Sequence, residues 1–208
     1  MAAGHDPALS GRSSLKYGDA LSLVDRYGKD ASWIRHCKAV SVLAKRYAEI
    51  FSAGYDLDAG FVRTAALLHD IGRYKTHDPI MHGVEGYWLL TNLGYHREAF
   101  VCASHILCGL ERDEAVRHGL PDQDFIPRTF EERLIPVIDS LVEFDRPTTL
   151  HARVASIQRR YQGNDAYLQR IEQAAEKVQR FMDHVNREFC ISMEDVAAET
   201  LSAGPGIV

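Results

Sequence analysis

The chain has 208 residues, enough for one sizeable core, or at most a domain with a helical appendage. Hydrophobic residues make up 46% and charged residues 25%, the balance of an ordinary water-soluble globular protein, and nothing argues for disorder away from the ends. A net charge of −5 excludes a protein that coats nucleic acid, because the basic surplus on which phosphate attraction rests is missing.

Residues 1–14 mix Gly, Ser, Ala and Pro without periodicity and read as a flexible N-terminal tail. The pattern predicts a short helix over 20–27 that ends at Gly28, then a long amphipathic helix from Ser32 to about Ser52. In the latter Ile34, Val40, Leu43, Tyr47 and Ile50 recur at near-helical spacing, with His36 on or near that face. Asp58 is a good N-cap for a helix over 59–70, and Gly72 suits a sharp exit that leaves His69 and Asp70 at the helix end. A polar, partly basic loop runs from Arg73 to Pro79. His82 and Gly83 then open a helix over 84–92 that stops at Gly94, and 97–107 forms the next. The 23 positions from His82 to His105 are about what two antiparallel helices and a turn need to bring both histidines to one end.

A short helix over 113–118 follows, then a turn-rich loop over 119–127 that could cover a cleft. Thr129 and Glu132 form a capping box for a helix that carries Asp139 and ends before Pro147. Residues 148–161 and 165–189 are helical, with charged outer faces, and read as structural; His151 and His184 read as surface or helix-end groups. Residues 191–208, which include Gly-Pro-Gly, read as a C-terminal tail. No β-like alternation is visible. The expectation is an all-α, single-domain helical bundle over 15–190, with its core over about 30–145 and additional C-terminal helices over 148–189.

The chemistry centres on Ala65-Ala66-Leu67-Leu68-His69-Asp70-Ile71-Gly72-Arg73. Adjacent residues on a helix diverge by about 100°, so His69 and Asp70 serve one cleft only if both reach toward a shared object. A metal ion is the economical candidate, since an imidazole and a carboxylate in apolar surroundings would otherwise be unpaired. His36, His82, His105 and Asp139 also sit in or beside apolar-periodic segments, and such groups are costly to bury alone. Six candidate ligands exceed the three or four that one catalytic zinc uses, which favours two ions. Arg73 and Lys75, in the adjoining loop, could hold a phosphate. The cysteines, Cys37, Cys102, Cys108 and Cys190, lack CxxC spacing and read as reduced core thiols. No signal-like start and no run of the ~18 apolar residues of a membrane span is present, so a cytoplasmic location is expected.

The order His36, His69-Asp70, Asp139 resembles the H…HD…D pattern of the HD superfamily of metal-dependent phosphohydrolases, and His69-Asp70-Ile71-Gly72-Arg73 resembles its HDIG variant. His82 and His105 are similar to the two further histidines of the binuclear subset, which includes HD-GYP phosphodiesterases, diadenosine-tetraphosphate hydrolases and HD-type di-iron oxygenases. The likeness covers roughly 30–145 and is nearest to small stand-alone HDIG proteins. The GYP signature is missing and Arg73 stands where a Lys is usual, so cleavage of cyclic dinucleotides is not supported. The resemblance implies that His36, His69 and Asp139 hold one metal, His82 and His105 a second, and Asp70 with a water or hydroxide bridges them. The implied ions are divalent Fe, Mn, Zn, Co or Ni. The implied activity is hydrolysis of a small phosphate ester, such as a nucleotide, by metal-activated water, with Asp70 and Arg73 catalytic and Arg73 and Lys75 binding substrate. The alternatives are a di-iron oxygenase acting on a small phosphonate or polyol, and a metal-stabilised nucleotide sensor without catalysis. Expected partners are a small phosphorylated substrate, no extended nucleic acid and no membrane, with self-association left open.

Overall fold

The stretch after Ser32 forms the pillar of the fold, α2 (Trp33–Phe51), because its apolar positions face one way for five turns. The computed structural model describes residues 15–29 and 31–202, so the tail expected over 1–14 and the final residues 203–208 lie outside the described residues. Val40, Leu43, Tyr47 and Phe51 of α2 are fully buried. They pack with Phe61, Val62, Ala65 and Ala66 of α3 (Ala59–Leu68) and with Leu134, Ile135 and Ile138 of α7 (Phe130–Ser140). At about 1.5–3 kcal/mol for each large side chain removed from water, this cluster is what holds the bundle closed. A second cluster joins Ala20 and Val24 of α1 (Tyr17–Gly28) to Trp33, Leu67, Leu68 and Ile71, with Leu90 of α4 (Met81–Asn92) and Cys102 of α5 (His96–Ser104).

Local chemistry sets the helix ends. The Asp58 carboxylate accepts the Phe61 N–H at 2.9 Å, and the Thr129–Glu132 capping box forms. After α6 (Arg112–Arg117), residues 119–127 line none of the cleft that holds Asp70 and Asp139: Phe125 pairs with Leu110 in a β-bridge and packs on Tyr87 and Phe100. Two short strands, β1 (Val142–Glu143) and β2 (Arg146–Pro147), make a hairpin too small to leave an alternation in the sequence. Then come α8 (Leu150–Arg160) and α9 (Asp165–Phe189), the latter burying Ile171, Ala174, Val178, Met182 and Val185 along one stripe. Part of the expected C-terminal tail is instead α10 (Met193–Ser202). It buries Met193 and Ala197 in the main core, and the Tyr47 hydroxyl donates to the Met193 carbonyl. Among the described residues no helix is long and apolar enough to cross a membrane.

Candidate metal centre

The two residues that anchor the motif sit where α3 gives way to a 3-10 turn. Helix α3 stops at Leu68, two residues earlier than expected; His69 caps it, and Ile71–Tyr74 form the 3-10 turn. Gly72 has a purpose other than a sharp exit. Its backbone is not left-handed, and a Cβ there would lie 1.9 Å from the His82 carbonyl oxygen and 2.4 Å from the Gly86 nitrogen. The missing side chain lets α4 approach closely enough for His82 to reach Asp70.

The six residues picked out by their chemistry converge. His36 comes from α2, His82 from the first turn of α4, His105 from the end of α5 and Asp139 from the last turn of α7. The Asp70 Oδ1 oxygen lies 2.8 Å from His82 Nε2, 3.6 Å from His105 Nε2 and 3.8 Å from His69 Nε2. Asp139 Oδ1 lies 2.9 Å from His36 Nε2 and 3.7 Å from His69 Nε2. His69 thus stands between two groups, one with His36 and Asp139 and the other with Asp70 and His105, each close enough to share an ion.

The protons show what kind of guest these groups suit. All four imidazoles turn Nδ1 toward a main-chain carbonyl: His36 to Phe144 at 2.9 Å, His69 to Ala66 at 2.7 Å, His82 to Asp78 at 2.7 Å and His105 to Val101 at 3.2 Å. A carbonyl only accepts, so Nδ1 carries the proton in each ring, and in a neutral ring Nε2 is then a bare lone pair. Four Nε2 atoms therefore face two carboxylates: His36 Nε2 meets Asp139 at hydrogen-bond distance, and buried His69 Nε2 and His82 Nε2 have no hydrogen-bond partner. Acceptors gathered on acceptors suit a cation, and imidazoles oriented from behind in this way are the usual supports of metal sites.

The electrostatics agree. Burial alone would raise the Asp70 carboxyl, but positive charge at the ring edges of His82 and His69 and on the Arg73 guanidinium reverses this and holds it well below the usual carboxylate range, the demand that a cation among these groups would meet. Asp139 is likewise held low, the opposing burial being outweighed by His36 and His69. Burial pushes the His82 imidazole down, which keeps it a neutral donor.

A cleft of about 150 Å³ opens over this cluster. It is lined on one side by Asp70, Arg73, His82, His105 and Asp139, and on the other by Arg153, Ile157, Arg160, Tyr161, Tyr167 and Ile171. The Arg73 Nε–H donates to Asp70 Oδ2, so this guanidinium braces the central carboxylate from the cleft wall. Lys75, expected to help hold a phosphate, is turned away: it is exposed and pairs with Glu85 at 2.7 Å. His151 and His184 are exposed, as anticipated. The basic loop supplies Arg73 and Pro79 to the cleft, whereas the far wall comes from α8, α9 and their connection, whose sequence reads as structural. The signal that could have found it is the spacing of Arg153 and Arg160, two turns apart on one helix. The strained stretch beside the site was also hidden: α5 ends at Ser104, not Leu107, because Leu107 and Cys108 adopt φ of 53° and 55°.

Known proteins resemble the chain over most of its length. A family model described as the HD domain matches residues 33–183, reaching well past the motif region into α9. An uncharacterized protein of Methanocaldococcus jannaschii is 33% identical over 159 residues, covering 76% of this chain and 93% of that one. A protein named tRNA (cytidine(56)-2'-O)-methyltransferase from Thermoplasma volcanium is 29% identical over 177 residues, and one of the same name from Picrophilus torridus is 36% identical over 114. These matches cover 85% and 54% of this chain but only 48% and 32% of the two archaeal proteins. No solved structure matches.

Proposed function

Because the chain belongs to the HD-domain family, whose members bind divalent metals, we propose that it is a metal-dependent phosphohydrolase that cleaves a small phosphate ester with solvent. The observation that carries this reading is the proton arrangement: four imidazoles tied back through Nδ1, with their Nε2 lone pairs gathered on Asp70 and Asp139. His36, His69 and Asp139 would hold one ion and His82 and His105 a second, with Asp70, whose Oδ1 faces three of the four histidines, shared between them. When bound, a divalent pair supplies Lewis acidity that acidifies water and draws off the charge growing on a phosphoryl group.

The chain's own residues do the rest. Arg73 holds the shared carboxylate in place through Nε, while the other face of its guanidinium, on the cleft wall, is free to meet a non-bridging phosphoryl oxygen. Ile106, Leu107, Ile157 and Ile171 surround the reacting end with apolar surface, which strengthens each charged contact there. The methyl transfer named for the two archaeal relatives is not part of this reading, because the chain spans half or less of those proteins.

The test removes metal with chelator and restores Zn or Mn without oxygen. Release of phosphate or a nucleoside monophosphate from an ester panel, lost in Asp70→Ala, is the expected result. Activity only with iron and dioxygen, giving an oxidised product and no hydrolysis, would replace the hydrolase by a di-iron oxygenase.

A further inference from the structure

We propose that Arg153 and Arg160 form an anion clamp for the terminal phosphate dianion of the substrate, so that this cleft takes phosphomonoesters in preference to phosphodiesters. The proposal rests on the hydrolase reading above and deepens it. Both arginines come from α8, two helical turns apart, and both line the cleft opposite Asp70 and Arg73.

What singles them out is that their terminal Nη donors are uncommitted, the Arg160 Nε–H alone being spent on the Ser156 carbonyl of its own helix at 3.4 Å. Arg153 Nη1 lies 3.7 Å from Glu143 Oε1 and Nη2 lies 3.9 Å from Asp139 Oδ1, while Arg160 Nη2 lies 3.6 Å from the same Glu143 oxygen. All three distances are too long for hydrogen bonds, so the attraction orients the guanidiniums without occupying their Nη–H groups. Arg170 on α9 shows the contrast, since its Nη1 is bound to Glu114 at 2.6 Å. Glu143 is itself fixed, accepting the Ser156 hydroxyl at 2.5 Å, so the β1 carboxylate works as a bracket for the two arginines. Arg153 has only 16% of its side chain exposed, and that remainder faces the cleft.

Charge and geometry select the ligand. Within the cleft and its bracket, Arg73, Arg153 and Arg160 balance Asp70, Asp139 and Glu143, so divalent ions in the centre leave an excess of positive charge. Two planar guanidiniums match an end with three free oxygens and two negative charges better than a diester, which offers two free oxygens and one charge. The organic part of the ester has an apolar exit. A neighbouring lobe of about 100 Å³ shares His105, Asp139 and Arg153 with the cleft and continues past Pro136, Ala174 and Val178.

The experiment measures binding of inorganic phosphate and of dimethyl phosphate to the metal-loaded protein by calorimetry, with metal content and circular dichroism as controls. The wild type should bind phosphate about tenfold or more tightly than dimethyl phosphate. Arg160→Ala, at a half-exposed position that tolerates truncation, and Arg153→Lys, which keeps the charge but not the fork, should each remove most of that difference while metal content stays unchanged. Equal binding of the two anions by the wild type, or unchanged phosphate binding in both folded variants, overturns the clamp. In parallel, p-nitrophenyl phosphate and bis(p-nitrophenyl) phosphate are assayed for hydrolysis. Arginine-dependent phosphate binding with neither ester hydrolysed upholds the clamp and sinks the hydrolase; hydrolysis with arginine-independent binding does the reverse.

Discussion

Gly72→Ala tests whether the close approach of α4 to the HDIG turn is what builds the centre. The new Cβ would lie 1.9 Å from the His82 carbonyl oxygen and 2.4 Å from the Gly86 nitrogen, and both are backbone atoms that no rotamer change can move aside. Restoring an ordinary contact of about 3.5 Å requires α4 to retreat by roughly 1.5 Å. That movement is paid in packing against Leu68, Ile71 and Cys102, so the cost belongs at the upper end of overpacking, about 3 kcal/mol, or roughly 6–12 °C in Tm for a chain of this size. The same retreat carries His82 away from Asp70, from 2.8 Å to beyond coordinating reach, so metal content should fall together with stability. Thermal unfolding by circular dichroism, with elemental analysis of the purified variant, measures both. Gly18→Ala is the control: its Cβ meets nothing within 4 Å, and alanine in a helix should be neutral or slightly stabilising. A Gly72→Ala protein with a Tm within about 2 °C of wild type and full metal content would refute the reasoning.

His82→Ala or His105→Ala should lower metal content from two ions to about one while the fold persists, because His36, His69 and Asp139 remain together; unchanged content in both variants would show that neither histidine is a ligand. Met193→Ala should cost about 2–5 kcal/mol in chemical denaturation, since Met193 is wholly buried, and a loss under ~1 kcal/mol would mean that α10 is only loosely docked. Asp58→Ala should cost about 0.5–2 kcal/mol through loss of the α3 cap. Its pH dependence has a definite sign. Burial would raise this carboxyl, but the Phe61 N–H and Arg97 lower it below its ordinary value. Its contribution is therefore present above about pH 4 and lost as the pH falls through the folded value, so wild type and variant should converge in acid.

Much of the fold was legible because helices announce themselves locally. The stripe of α2, the Asp58 cap and the Thr129–Glu132 box each need only a few residues to be recognised. The six residues of the centre were legible for another reason: ionisable groups in apolar runs must be answered by something. The residues opposite were not, because Arg153 and Arg160 lie on a helix whose pattern is that of a solvated surface, and only the return of α9 over the site makes that surface a wall. Gly72 misled by its type, since a glycine after a helix usually marks a turn and here marks a close contact. The tail misled in its turn: ten residues with two buried anchors, Met193 and Ala197, carry too weak a stripe to declare a docked helix.

The centre draws its groups from α2, the end of α3, α4, α5 and α7, so that residues as distant as 36 and 139 must meet in one place. A guest held there is a non-covalent cross-link closing long loops of the chain, and an unfolded chain cannot reproduce it. By mass action, each tenfold rise in free ion above its dissociation constant adds about 1.4 kcal/mol to the stability of the whole bundle. A bound ion would thereby couple ion supply to survival of the folded state: where ions are scarce, resistance to unfolding would be lost together with the assembled centre.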